Sequence, residues 1–440
     1  MFRGNPERSL SAIGKVPRRP KLLWRFRTKL KFEGKYENRG SSRLTPNTVW
    51  QGLGWTGQPI LVGDRVYFGS SDSYVYCLEA RTGRVLWYYP NHHVVKGSIS
   101  IFGHHIYHGG RDNKMHCYDL NGKMMWETRT GNDMDSSPVV VNGRGFIGGE
   151  DGSIYCFDPG TGEILWRTAT AGSVESSPCV VGDRVIAASG QGLLYCCDGD
   201  TGEILWTFET LGDTDSTPVH WRGRIFVGCA TGDYREVGHF WCVDAETGRP
   251  LWHLPMRRGI WATAALNPAN GRVYIGCNNG ILYALSTEDG QLVWERHLAS
   301  RIWGSAAVTD GCVLVGTRDG RLWCLDEDTG EPIWVFDDGF DIVATPLVAD
   351  GLIVIGSQGG WVYAIGEASE EEDINSQWFA TEFPMRQRLD RNPEGVVTLT
   401  SPAPDPKTYR DTSAGYKAGI SQPVYGTGNR HGHSGPARVP

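Results

Sequence analysis

Residues Cys156 to Trp166 read CFDPGTGEILW, and the phrase returns as CLEARTGRVLW (Cys77 to Trp87), CVDAETGRPLW (Cys242 to Trp252) and CLDEDTGEPIW (Cys324 to Trp334). Seven such phrases close on Trp87, Trp126, Trp166, Trp206, Trp252, Trp294 and Trp334, in steps of 39, 40, 40, 46, 42 and 40 residues. A period near 40 residues is that of one four-stranded propeller blade.

Inside each period, short apolar runs alternate with polar residues and are separated by turn residues, the pattern of strands. In the third repeat, strand a is expected over Ser137 to Val141, then an Asn142-Gly143 turn and strand b around Phe146. Glu150-Asp151-Gly152 turns into strand c, Ser153 to Phe157, and Thr161-Gly162 into strand d, Glu163 to Trp166. Asn-Gly and Asp-Gly supply the positive φ of tight hairpins. Each tryptophan is expected to dock between blades against the Thr-Gly turn of its neighbour. Full burial of an indole of roughly 200 Å² would contribute at most about 5 kcal/mol.

The ends predict how the ring closes. Residues 344–365 supply strands a to c of a further blade, but the acidic run Glu370 to Asp373 stands where its Thr-Gly and Trp should be. Leu22-Leu23-Trp24-Arg25-Phe26-Arg27-Thr28 matches Ile164-Leu165-Trp166-Arg167-Thr168. Residues 22–28 are therefore expected to complete that blade, with Trp24 as the eighth docking indole, in preference to a closure through Trp378. The fold class is all-β, an eight-bladed propeller over 21–366, preceded by an arm (1–20) and followed by an acidic linker and disordered Pro/Gly-rich tail (367–440).

The motif Cys-x-Asp-x-x-Thr-Gly-x-x-x-Trp, present at Cys156, Cys196, Cys242 and Cys324, resembles the repeat of the pyrroloquinoline quinone (PQQ) propellers. That family includes quinoprotein alcohol dehydrogenases and cofactor-free scaffolds such as the outer-membrane assembly lipoprotein, so the resemblance implies fold and leaves function open. Its quinoproteins carry an adjacent-cysteine disulfide in a loop over the cofactor. Cys196 and Cys197 are adjacent, but the repeat puts both on a strand.

Composition fits one large domain: 40% hydrophobic residues, 58 Gly and 17 Trp. No apolar run has bilayer-spanning length, and the start MFRGNPERSLSAIGKVPRRPK has neither an apolar h-region nor an early cysteine. Cys77, Cys117, Cys156, Cys196, Cys242 and Cys324 share one repeat position, each in a different blade, too far apart for disulfides. A cytoplasmic, monomeric protein without membrane attachment is expected. Residues 41–383 carry 23 Lys+Arg against 43 Asp+Glu, a net −20, and the two ends carry +13. The body should repel nucleic acid. Arg25, Arg27, Lys29 and Lys31 alternate with Trp24, Phe26, Thr28 and Leu30, as on a strand with one solvated face.

Chain direction places the d-to-a and b-to-c loops on one face. Just before each strand a stand, in order, Thr56, Lys96, Asp135, Glu175, Asp215, Trp261, Trp303 and Val343. Three consecutive acids followed by two indoles suit a cationic or polar aromatic ligand. Asp133, Asp213 and Asp341 add negative charge, and Arg257, Arg258 and Arg301 lie in the aromatic loops. The insertions 29–55 and 232–238 belong to the same face. The reading is thus a rigid binding or scaffolding propeller for a protein partner or small polar ligand, with Lys96, Asp135, Glu175, Asp215, Trp261, Arg301 and Trp303 as its site. The resemblance implies an alternative, a PQQ- and calcium-dependent oxidoreductase with Trp261 or Trp303 under the quinone, Lys96 or Arg301 on its carboxylates, and Glu175 with Asp215 near calcium. Histidines 92, 93, 104, 105, 108 and 116 cluster in sequence, but the blade geometry divides them between two faces, and only His108 and His116 can meet. No metal site is expected from them.

Overall fold

A computed structural model describes residues 2–10, 12–28, 57–91, 93–231, 237–298 and 300–369, with the strands at 388–391 and 397–400. All belong to one compact unit, Met1–Phe32 with Gln51–Ala403. The described residues contain strands and no helix, arranged as eight blades. Seven blades take their strands from consecutive stretches, at 60–90, 100–129, 139–169, 179–209, 219–256, 265–297 and 307–337.

The eighth blade closes the ring as the ends predicted. Pro20–Arg27 pairs antiparallel with Trp361–Glu367, Trp24 opposite Ala364, and so joins Leu347–Ala349 and Leu352–Gly356. Strand a of the third blade is shorter than the sequence suggested, Val139–Val141, because Pro138 has no N–H for the ladder and Ser137 serves another purpose described below. Blade 7 is wider than the repeat predicted. Val397–Thr400 pairs parallel with Pro332–Asp337 and antiparallel with Arg388–Arg391, making a six-stranded sheet.

Tryptophan docking follows one rule around the ring. The glycine of each c-to-d turn, mostly Thr-Gly, has positive φ and lies against the indole of the preceding blade, so a Cβ on Gly202 would stand 2.7 Å from Trp166. Gly83 meets Trp24, Gly122 Trp87, Gly162 Trp126, Gly248 Trp206, Gly290 Trp252 and Gly330 Trp294 in the same way. Blade 8 has no such turn, and Trp334 instead donates from Nε1 to the Pro17 carbonyl at 2.8 Å. Trp334 is wholly buried and Trp24 and Trp294 nearly so, but Trp87, Trp126, Trp166, Trp206 and Trp252 are half-buried, below the full-burial ceiling.

The blades are also stitched at the axis. Each Ser/Thr before or within strand a accepts from the backbone N–H of the preceding blade: Gln58 to Ser98 (2.9 Å), Ser98 to Ser137 (2.8 Å), Ser137 to Ser177 (2.9 Å), Ser177 to Thr217 (3.1 Å), Thr217 to Thr263 (3.3 Å) and Thr263 to Ser305 (2.9 Å). This ring of hydroxyls is the reason for the repeated Ser/Thr-Pro.

Candidate functional site

Innermost strands present unpaired backbone groups to the channel, and these need partners. On the a-to-b face the N-terminal arm supplies them. Phe2, Arg3 and Arg8 are fully buried. Arg3 donates to the carbonyls of Ala306 (2.8 Å) and Thr263 (2.7 Å), on two neighbouring blades. Arg8 donates to Pro178 (2.8 Å), Phe2 (2.7 Å) and Ser137 (3.0 Å). In return the backbone N–H groups of Val180 and His220 donate to the carbonyls of Pro6 and Glu7, both at 2.9 Å. Among the described residues neither guanidinium has a carboxylate partner, and burial lowers Arg3 to about 9 and Arg8 to about 10. The arm plugs one end of the channel, so the other end is a blind mouth.

That mouth, on the d-to-a face, is a small recess open to solvent, lined by Lys96, Asp135, Glu175, Asp215, Trp261, Trp303 and Ser305. Six of the seven residues expected from sequence thus come together. Arg301 does not line the cavity; its side chain is exposed, and its carbonyl accepts from the Arg318 N–H. Thr56, the whole of the 29–55 insertion and residues 232–236 lie outside the described residues.

Lys96 Nζ is 2.5 Å from Asp135 and 3.1 Å from Glu175. Arg111 grips Asp135 through Nε (2.8 Å) and Nη2, and reaches Glu150 at 3.2 Å. Burial opposes ionisation of Asp135, but Arg111 and Lys96 outweigh it and hold the carboxyl well below its usual range. Glu150 moves upward, through burial and then the Asp135 charge. Asp133 rises to about 6, chiefly by burial. Asp215 is raised as well, by burial and then by Asp213 and Glu175. Among the described residues the Asp215 carboxylate makes no hydrogen bond or ion pair. Opposite the acids, Trp261 and Trp303 pack edge to face at 4.6 Å. The Arg318 guanidinium lies 3.8 Å from the Trp303 ring centre, held by Asp341 at 2.7 Å.

Arg111, Glu150 and Arg318 escaped the sequence reading because they come from a second ring, one or two residues past strand b. A repeated bond carries its signal: Arg111 N to Val94 O, Glu150 N to Asp133 O and Arg318 N to Arg301 O.

The donor set does not fit PQQ. The quinone carries three carboxylates, and the lysine and arginine at this mouth are already held by Asp135, Glu175 and Glu150. Trp303 is stacked under Arg318 and edge-packed by Trp261, which removes the flat slot. Asp135, Glu150 and Glu175 bring oxygens within 4.8 Å of one another, a spacing a cation could use, but Lys96 and Arg111 bind those same carboxylates. Cys196 and Cys197 sit on Leu193–Asp198 and face opposite sides of the blade, into different core clusters, so they form no pair over the mouth.

The other histidines and basic residues find structural places. His108 and His116 are cross-strand partners with rings 4.9 Å apart, and His116 Nε2 is 3.0 Å from Asp112. Tyr76 with Asp72 and Tyr155 with Asp151 make the same contact in their own blades. Arg25 and Arg27 stack on Trp361 at 4.5 and 4.7 Å.

Eight blades built on a four-stranded repeat, docked Trp to Gly, define a PQQ-like repeat propeller. The chain belongs to the family described as the beta-propeller of the beta-alanine-activating enzyme, whose model matches residues 131–401. A model described as outer membrane protein assembly factor BamB matches 71–155. Quinoprotein alcohol dehydrogenase PedH of Pseudomonas putida is 28% identical over 130 residues, which cover 25% of this chain and only 22% of that enzyme. BamB from Moraxella catarrhalis superposes with TM-score 0.60 at 18% identity, covering 70% of this chain and 96% of BamB. A europium-containing methanol dehydrogenase gives 0.65 at 15%, covering 83% and 97%. These likenesses carry the fold.

Proposed function

We propose that this chain is a non-catalytic binding propeller that holds a protein partner or a small polar ligand on the face of its d-to-a loops. One observation carries the reading: the mouth's lysine and arginine are consumed by its own carboxylates, so the site has the asymmetry of a recognition surface without uncommitted cations for a quinone. The plug behind it makes the mouth a rigid blind recess. The resemblance to BamB, a scaffold, supports a protein partner; the quinoprotein alternative has the fold and lacks the donor set. The reading includes a reducing compartment, in keeping with eleven buried free thiols.

The test is charge reversal on opposite faces, with partners captured by crosslinking in the native host. Asp213→Lys with Asp215→Lys should abolish specific crosslinks, whereas Asp183→Lys, on an a-to-b turn, should keep them. Crosslinks that survive the first change and vanish with the second would sink the proposal.

A further inference from the structure

The recess has one acid without a protein counterpart, and this deepens the reading of its face as a binding surface. Asp215 is partly exposed within the cavity and makes no hydrogen bond or ion pair among the described residues. Across the same cavity stand the indoles of Trp261 and Trp303. The protein already builds a related arrangement for itself: Arg318, clamped by Asp341, lies on the face of Trp303. A carboxylate beside an indole is how proteins seat desolvated organic cations.

We propose that the mouth takes an alkylammonium or guanidinium group, seated between Asp215 and the Trp261 indole, in competition with Lys96. Lys96 supplies the second half of the argument. Its ammonium bridges Asp135 and Glu175, occupying the acidic side of the cavity as an internal stand-in for such a ligand. Asp213, Glu175 and Asp135 crowd Asp215 with negative charge that Lys96 only partly offsets, so an incoming cation relieves acid crowding. An anion entering the same recess meets no uncommitted base among its lining residues.

The cation has two sources, a free amine or the side chain of a lysine or arginine on a partner. Calorimetry on the full chain with agmatine, butylammonium and a doubly blocked arginine tripeptide separates them. Saturable one-site binding that weakens with salt is expected. Asp215→Asn should cost about tenfold, and Trp261→Leu a similar factor. Lys96→Met, which frees Asp135 and Glu175, should strengthen binding. A tripeptide tighter than agmatine assigns the site to a partner's side chain, and the reverse order assigns it to a free amine. No saturable heat from any probe, or an Asp215→Asn affinity equal to wild type in a protein with unchanged circular dichroism, overturns the inference. If crosslinks still depend on Asp213 and Asp215 in that case, the binding-face reading stands and only the ligand chemistry falls.

Discussion

Arg3 is the place to perturb the channel plug. Its guanidinium is fully buried, with no carboxylate partner among the described residues, and two of its nitrogens donate to Ala306 and Thr263 on adjacent blades. Arg3→Met keeps an apolar stem and removes both donors. Two buried carbonyls then lose their partners, at about 1–3 kcal/mol each, and part of this is offset because the dehydration of a guanidinium, several kcal/mol, is no longer incurred. The expected loss is about 3 kcal/mol. Arg3→Lys should fall between, since one ammonium cannot reach two carbonyls with the fixed fork of a guanidinium. Urea unfolding followed by tryptophan fluorescence reads both, and Arg81→Met, at an exposed arginine, should stay within about 0.5 kcal/mol of wild type. An Arg3→Met protein as stable as the Arg81 control would refute the plug.

Gly202 and Gly182 separate blade docking from backbone strain. Both have positive φ, but a Cβ at Gly202 meets Trp166 at 2.7 Å, whereas Gly182 has nothing within 4 Å. Gly182→Ala should cost about 1 kcal/mol and Gly202→Ala at least about 2 kcal/mol more in the same denaturation assay. Trp334→Ala should destabilise more than Trp166→Ala, about 3–5 kcal/mol, because Trp334 is wholly buried and Trp166 half-exposed. His108 is pushed down to about 3, chiefly by burial. The unfolded chain, titrating near 6.5, binds the extra proton first, so stability from this residue is present above pH 6.5 and lost progressively between 6.5 and about 3. His108→Phe should flatten the acid limb of a stability-versus-pH profile; an unchanged limb would count against the burial argument.

Much of this molecule is legible in its sequence because a repeat states each contact several times. The Thr-Gly-x-x-x-Trp phrase exposes the docking rule, and Trp24 near one terminus reveals the closing strand by likeness to Trp166. The position before strand a, occupied by Lys96, Asp135, Glu175, Asp215, Trp261 and Trp303, lines the mouth in six blades, so alignment alone collects most of it. Features without a repeat stay hidden. Arg3 and Arg8 stand in an arm with no periodicity, and nothing local distinguishes them from a solvated basic tail; their burial follows from unpaired strand edges that exist only once the ring has closed. Blade 7's outer pairing is equally silent, since Val397–Thr400 joins by register with Pro332–Asp337 and carries no repeat signature. Arg111, Glu150 and Arg318 were available in principle, but only a second alignment, on the b-to-c loop just past strand b, brings them into view.

The central claim, that this mouth is a recognition site whose own carboxylates exclude PQQ, is tested most directly by incubating the purified protein with PQQ and Ca²⁺, passing it through gel filtration and recording the absorption spectrum of the protein peak. A bare protein spectrum is the predicted result. A quinone band eluting in equimolar amount with the protein would contradict it.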